Sequence, residues 1–354
     1  MKANPLIRLG TGAAAFVMLA LFALEYAWVK SALITPPPDS QPRQEISPRD
    51  QPKGQPGVLP QAPVVNIDVL VTDEDGFVLA GLNQANFRVL DNGQPQAITH
   101  FEPVGARITI VMLLEATSSA YSYFSYKSAS WGSALLNYLE PEDYVALVTY
   151  DIKPTVRVDF TRNKPEVLQA LSTSWYGQFR DSNLFDAVID TLDRLDRVKG
   201  KTAIVIVGTG FNTMSQHNLG DTLKRIKESE AMIFAVGVAE GEYIWSGRSS
   251  ITYLQSKNAL QAFTELTGGM AWFPRFQGEI PGIFRSVATH LRNQYRIGFT
   301  PPESARDGKY HKLKVEVIGA EGKPLTVVNP KGKRRKVEVY ARQGYMARGG
   351  DVGR

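Results

Sequence analysis

The chain has 354 residues, 43% of them hydrophobic and 21% charged, with a formal net charge of +5 and a pI near 9.2. That is room for roughly two domains of ordinary globular composition, which excludes disorder as the default. No cysteine occurs, which excludes disulfides, thiolate metal sites and cysteine nucleophiles while leaving the redox compartment open.

Lys2 and Arg8 precede an apolar run, Leu9 to Leu24, interrupted by Glu25 and resumed through Tyr26, Ala27, Trp28 and Val29. The first part has the length of a signal-peptide core, and the whole approaches the ~20 residues that span a bilayer. No small-x-small cleavage site follows, and Tyr26 and Trp28 fall where an aromatic belt sits. Residues 1–32 therefore read as a signal peptide or an N-terminal membrane anchor, with the body exported in either case. Pro36 opens a tract to Pro63 that is rich in Pro, Gln and charge and poor in large apolar residues. Such a composition cannot bury a core, so residues 33–63 read as an extended linker.

From Val64 the pattern turns to strands. Val65, Ile67, Val69 and Val71 alternate with less apolar neighbours, the period of a half-buried strand. Turns at Asp73–Gly76 and Asp91–Gly93 bracket two further short strands, Phe77–Leu79 and Phe87–Leu90. In the middle, the continuous apolar runs Ile108–Leu114, Thr202–Val207 and Met232–Val238 are strands covered on both faces. Tyr144–Thr149 and Val156–Phe160 add strands. Helices are expected after Leu114 to about Leu139, from Lys164, over Asn183–Val198, near Ala259–Thr267 and over Gly278–Asn293. This alternation predicts crossover units and a mainly parallel sheet. Beyond Gln294 the chain returns to strands at Tyr295–Thr300, His311–Val317 and Lys336–Arg342. Neither flank is long enough for a sheet of its own, so residues 64–103 and 294–347 are expected to form one discontinuous β-sandwich beside an α/β body over 104–293.

Two segments carry a resemblance. APVVNIDVLVTDEDGFVLAGLNQANFRVLDNGQPQAITHFE, and LRNQYRIGFTPPESARDGKYHKLKVEV followed by YARQGYMA, are similar to the opening and closing segments of VWFA-related domain proteins of the acidobacterial type. The resemblance covers roughly residues 63 to 347. It implies an α/β, von Willebrand A-type (Rossmann-like) sheet with helices on both faces, framed by the flanking β segments. It also implies export, and a metal-ion-dependent adhesion site at the carboxyl ends of the strands.

In the family that site is an Asp-x-Ser-x-Ser after the first strand, a Thr before a later helix and an Asp after the fourth strand. The chemistry calls for hard oxygen ligands around Mg²⁺, with one position left for an acidic group of the partner. Here the first loop reads Glu115-Ala116-Thr117-Ser118-Ser119, the second Asp181-Ser182-Asn183-Leu184-Phe185-Asp186, and the third Gly208-Thr209-Gly210. Glu115, Thr117, Ser119, Ser182 and Thr209 thus stand at the family's ligand positions, with one matched carboxylate instead of two. One anionic group offsets little of the dehydration of a divalent cation, so the set is expected to be degenerate: no cofactor, with Mg²⁺ the one ion to test. Asp181 offers either a second charge or a helix cap. Asp186 and Asp151 read as loop and turn residues.

Enzyme chemistry finds no support. The four histidines, His100, His217, His290 and His311, have no metal-ligand spacing, no Gly-x-Ser-x-Gly elbow occurs, and Gly208-Thr209-Gly210 lacks a dinucleotide loop's third glycine. The run Lys331–Lys336 reads as a solvated hairpin tip, or else as a patch for anionic headgroups. Tyr123 and Tyr126, and the loop Glu242–Arg248, are candidate contact surfaces. The expected function is a protein-binding module of the cell envelope, held to the membrane through its N-terminal segment. The alternative is a metal-free envelope scaffold that makes its contacts through the sandwich. A nucleic-acid partner is not expected outside the cytoplasm.

Overall fold

The computed structural model describes residues 64–103, 105, 107–118, 120, 128–173, 177, 179–238, 250–328 and 332–347. The N-terminal segment and linker lie outside the described residues, as do Ser119, Tyr121, Tyr123, Phe124, Tyr126, the loop 242–248 and Lys331. Among the described residues no helix is long and apolar enough to cross a membrane. Residues 60–354 group as one compact unit.

The middle of the chain forms a six-stranded sheet. Its strands are β5 (Ile108–Glu115), β6 (Tyr144–Tyr150), β7 (Pro154–Thr161), β8 (Lys201–Gly208), β9 (Met232–Gly237) and β10 (Ala271–Trp272), in the order β10-β9-β8-β5-β6-β7. The four pairs from β10 to β6 are parallel. The β6/β7 pair is antiparallel, because residues 151–153 are too short a connection for a crossover and can only make a hairpin.

Six described helices cover the sheet: α1 (Ser128–Leu136), α2 (Lys164–Ser172), α3 (Leu184–Leu195), α4 (Leu219–Glu228), α5 (Ser250–Thr267) and α6 (Ile280–Arg292). Strand β5 shows why the central runs are apolar throughout. Ile108, Ile110 and Met112 pack on the side of α1, α2 and α6, while Val111 and Leu113 pack on the side of α3, α4 and α5. Alternate side chains point to opposite faces and both faces are covered, so no position of the strand faces water.

The two flanks build two further sheets, antiparallel in every named pair. One has the order β13-β14-β1-β11-β4 and the other β15-β12-β2-β3. Their strands are β1 (Val65–Asp73), β2 (Phe87–Asp91), β3 (Gln94–Gln96), β4 (Ile98–Glu102), β11 (Gln294–Phe299), β12 (Tyr310–Val317), β13 (Thr326–Val328), β14 (Arg334–Ala341) and β15 (Gly344–Met346). The expectation of a mainly parallel sheet is thereby corrected in scope, since parallel pairing is confined to the six-stranded sheet and even there stops at β7. Strand β1, from the front of the chain, sits between β11 and β14 from the back. Ile67, Val69, Phe87, Val89, Ile297 and Val315 bury a common core with Tyr295, whose hydroxyl donates to the Leu79 carbonyl and accepts the Leu82 N–H.

The outer face of the five-stranded sheet meets the amino-terminal end of the α/β layer through charge. Arg296 donates to both carboxylate oxygens of Asp68, at 3.0 and 3.1 Å. Buried Lys201 donates to the carbonyl of Leu291 at the end of α6. Arg342 donates to Ser229 O just past α4. Gly269 has no room for a side chain, because a Cβ would overlap the Ile233 carbonyl oxygen. Of these contacts the Arg342 bond crosses from the flank to the α/β layer, and the others brace each side of that junction, away from the carboxyl end of the sheet.

Candidate functional site at the carboxyl end of the sheet

Three loops converge where the parallel strands end. The loop after β5 is tied to its neighbours by Ala116 N–H to Tyr150 O, 2.7 Å, and Ser118 N–H to Phe179 O, 2.8 Å. The segment before α3 is tied by Asn183 N–H to Asp151 O, 2.7 Å. The loop after β8 returns Thr213 N–H to Ser182 O and the Thr213 hydroxyl to Asp181 Oδ1. Asp181 therefore does not cap α3. Its carboxylate faces the next loop, and the Asn183 side chain at the helix N-cap makes no capping bond either. Asp186 fixes the same loop from below by accepting the N–H groups of Gln216 and His217 and the His217 ring. Burial pushes the Asp186 carboxyl up, but those hydrogen bonds outweigh it and hold the group below its ordinary value.

At the centre stands Glu115, buried at the end of β5. Its Oε1 accepts the Thr117 hydroxyl at 2.8 Å. Its Oε2 accepts both the Thr209 N–H at 2.6 Å and the Thr209 hydroxyl at 2.7 Å. Each hydroxyl in turn accepts a backbone N–H, from Ala120 on Thr117 and from Phe211 on Thr209. Next to them, the hydroxyls of Tyr150 and Ser182 are buried with no hydrogen-bond partner among the described residues. Burial, reinforced by the Glu115 carboxylate, pushes the Tyr150 hydroxyl well above its ordinary value, so it stays protonated.

Four of the five expected site residues, Glu115, Thr117, Ser182 and Thr209, are thus brought to one end of the sheet. The fifth, Ser119, lies outside the described residues. The orphaned Ser182 and Tyr150 hydroxyls are the one feature that suits a missing ligand. The rest of the donor set does not fit a divalent cation. Thr117 and Thr209 each donate to Glu115 and accept an N–H, which leaves one lone pair apiece. The single carboxylate carries three hydrogen bonds. The side chains lie under the surface, with Thr117 0% and Thr209 1% exposed, so the position for a partner's acidic ligand is closed. Among the described residues no group of three or more His, Asp or Glu is placed to hold a metal. The histidines are bound separately, with His100 on Glu102, His217 on Asp186 and His311 between Asp91 and Asp307.

Around this closed floor runs an apolar rim that sequence reasoning did not single out. Phe179, Met214, Ile251, Leu254 and Phe276 are exposed large hydrophobics; the last four follow the carboxyl ends of β8, β9 and β10, and Phe179, between α2 and α3, is tied to the loop after β5. These segments touch. A Cβ on Gly210 would lie 3.0 Å from Ser256 O in α5, and Lys257 sits over the Phe273 ring at 4.9 Å. The signal for Ile251 and Leu254 was an apolar pair at helical spacing on the first turn of a helix whose buried face begins only at Ser256.

No family model matches the chain, and no curated protein matches it. Solved structures with a similar fold include an aerotolerance-related membrane protein from Bacteroides fragilis, at 14% identity over 51% of this chain and 98% of that one, TM-score 0.40. They also include the vWF domain of the type V pili tip protein Mfa5 from Porphyromonas gingivalis, at 9% identity over 53% and 95%, TM-score 0.41. A von Willebrand factor type A protein from Catenulispora acidiphila matches at 9% identity over 78% and 74%, TM-score 0.42. With so little overlap the assignment rests on this chain itself. Its central sheet follows the doubly wound order, and its three loops meet at the carboxyl end, at the positions that the sequence resemblance marks. The layer has the doubly wound α/β architecture, with its candidate site at the carboxyl end of the strands. In this layer the ligand-position residues bond to one another, and the exposed apolar surface lies on the rim around them.

Proposed function

We propose that the chain is an exported protein-interaction module of the cell envelope that engages its partner with the rim at the carboxyl end of its von Willebrand A layer. The carrying observation is the exposed set Phe179, Met214, Ile251, Leu254 and Phe276, with Ile251 66% and Phe276 73% exposed at that one end. Scattered apolar side chains on a surface need no explanation, but a set gathered on touching segments around a loop cluster is what a protein interface uses. Export and attachment to the membrane rest on the N-terminal apolar run. In this reading Glu115, Thr117, Ser119, Ser182 and Thr209 form the floor that shapes the rim, and contact with the partner is apolar rather than bridged by an ion. In this reading the module binds a partner, and the described residues contribute shape and apolar surface to that contact.

Site-specific photo-crosslinking in intact cells tests this. A crosslinker at Met214, Ile251 or Phe276 of the full chain should trap one and the same protein, and a crosslinker at Phe77, 71% exposed on the β flank, should not. Ile251→Asp combined with Phe276→Ser should abolish the adduct at Met214 while leaving the melting temperature unchanged. If Phe77 traps the partner and the rim positions do not, the envelope-scaffold reading with contacts through the sandwich replaces this one.

A further inference from the structure

We infer that Glu115, Gly208 and Thr209 form a metal-independent clamp that joins the loop after β5 to the loop after β8 by direct hydrogen bonds, with no ion between them. Three departures from the sequence pattern fit together only in this way. Glutamate at 115 is one methylene longer than aspartate, about 1.5 Å of added reach, and its Oε2 uses that reach to meet the Thr209 N–H and hydroxyl at 2.6 and 2.7 Å. Threonine at 209 presents a donor where a second carboxylate would set like charge against Glu115 in a buried place. Glycine at 208 leaves the room, since a Cβ there would lie 2.5 Å from the Tyr150 hydroxyl and 2.8 Å from Glu115 Oε2. Each residue requires the other two. A charged acceptor that takes a backbone N–H and two hydroxyls is also among the stronger hydrogen-bond arrangements in a water-excluded place.

The clamp concerns the loops alone and goes beyond the rim reading, because it holds with no partner present. It makes the rim preformed, and it makes the loop geometry indifferent to chelators. A rim with an ion at its centre would loosen when the ion is withdrawn.

The test is hydrogen exchange at the Thr209 and Phe211 amides of the full chain, read in EDTA and in millimolar Mg²⁺, together with thermal melts. The wild type should show equal protection and equal melting temperature in both. Glu115→Asp should expose the Thr209 amide, raising its exchange roughly tenfold or more in either buffer, and Thr209→Val should do the same at Phe211, whose N–H loses its hydroxyl acceptor. Thr209→Ser, which keeps both donors, should retain protection. Ser182→Ala, which removes a hydroxyl with no partner among the described residues, should also retain it. If Glu115→Asp fails to fold, the Thr209→Val and Thr209→Ser pair decides alone. Loss of wild-type protection in EDTA would show that an ion ties the loops and overturn the clamp. Unchanged protection in both Glu115→Asp and Thr209→Val would overturn it as well.

Discussion

Removing the Asp68 carboxylate should destabilise the chain by about 3–5 kcal/mol, because it strands charge between the two layers. Arg296 and Asp68 form a two-bond pair with side chains only 13% and 8% exposed. Burial works against the Arg296 charge, and Asp68, first among the nearby carboxylates with Glu230 and Glu102 behind it, more than offsets that. Burial lowers the neighbouring Lys201 ammonium, and Asp68 counteracts that as well. In Asp68→Ala the guanidinium keeps its desolvation penalty and loses its partner, and Lys201 keeps its carbonyl acceptors but loses the nearby anion. The pair itself contributes far less than the penalty for breaking it, since two buried charges cost much of what their attraction returns. The double variant Asp68→Ala with Arg296→Met should therefore be more stable than Asp68→Ala alone, recovering most of the loss. Urea unfolding followed by tryptophan fluorescence measures all three stabilities. A loss below about 1 kcal/mol in Asp68→Ala would refute the reasoning, as would a double variant no better than the single one.

Burial holds His290 down to about 4, its ring tilted against that of Trp272. With a folded value below its ordinary 6.5, the unfolded chain takes up a proton that the folded chain refuses, so stability is full above 6.5 and falls as the pH drops towards 4. His290→Phe should flatten that limb by up to about 3 kcal/mol in urea midpoints compared at neutral and acid pH. Gly269→Ala should cost about 1–3 kcal/mol, read as a lowered melting temperature, because the new methyl overlaps the Ile233 carbonyl on a backbone that cannot yield. Phe284→Ala, which empties a fully buried position of the α6 side of the core, should cost about 3–5 kcal/mol by the same urea assay.

Much of the architecture was legible before any coordinates. The apolar runs of β5, β8 and β9 could only be strands covered on both faces; the alternation in β1 marked a strand but suggested one open face, whereas Leu70 and Thr72 are buried as well. Helix α4 was missed although Leu219, Leu223 and Ile226 lie at helical spacing, because most of its other residues are charged or polar and dilute the apolar signal. Its start was nonetheless written in the capping box of Asn218 and Asp221. The turn of β7 against β6 depended on the length of a connection, which the sequence contains but which strand patterns alone do not weigh.

The candidate site divides in the same way. The resemblance marked Glu115, Thr117, Ser182 and Thr209 as neighbours at one end of the layer, and the single matched carboxylate led to the expectation of a degenerate set. Which atoms those residues would bond was set only when β5 and β8 came side by side and brought Oε2 of Glu115 to the Thr209 amide. Hydrogen bonds across ninety residues depend on distances of a few tenths of an ångström, which no periodicity encodes. The apolar rim has the same origin. Phe179, Met214, Ile251 and Phe276 lie in four separate segments of the chain, and their exposure was set only by how helices and loops pack around the parallel strands.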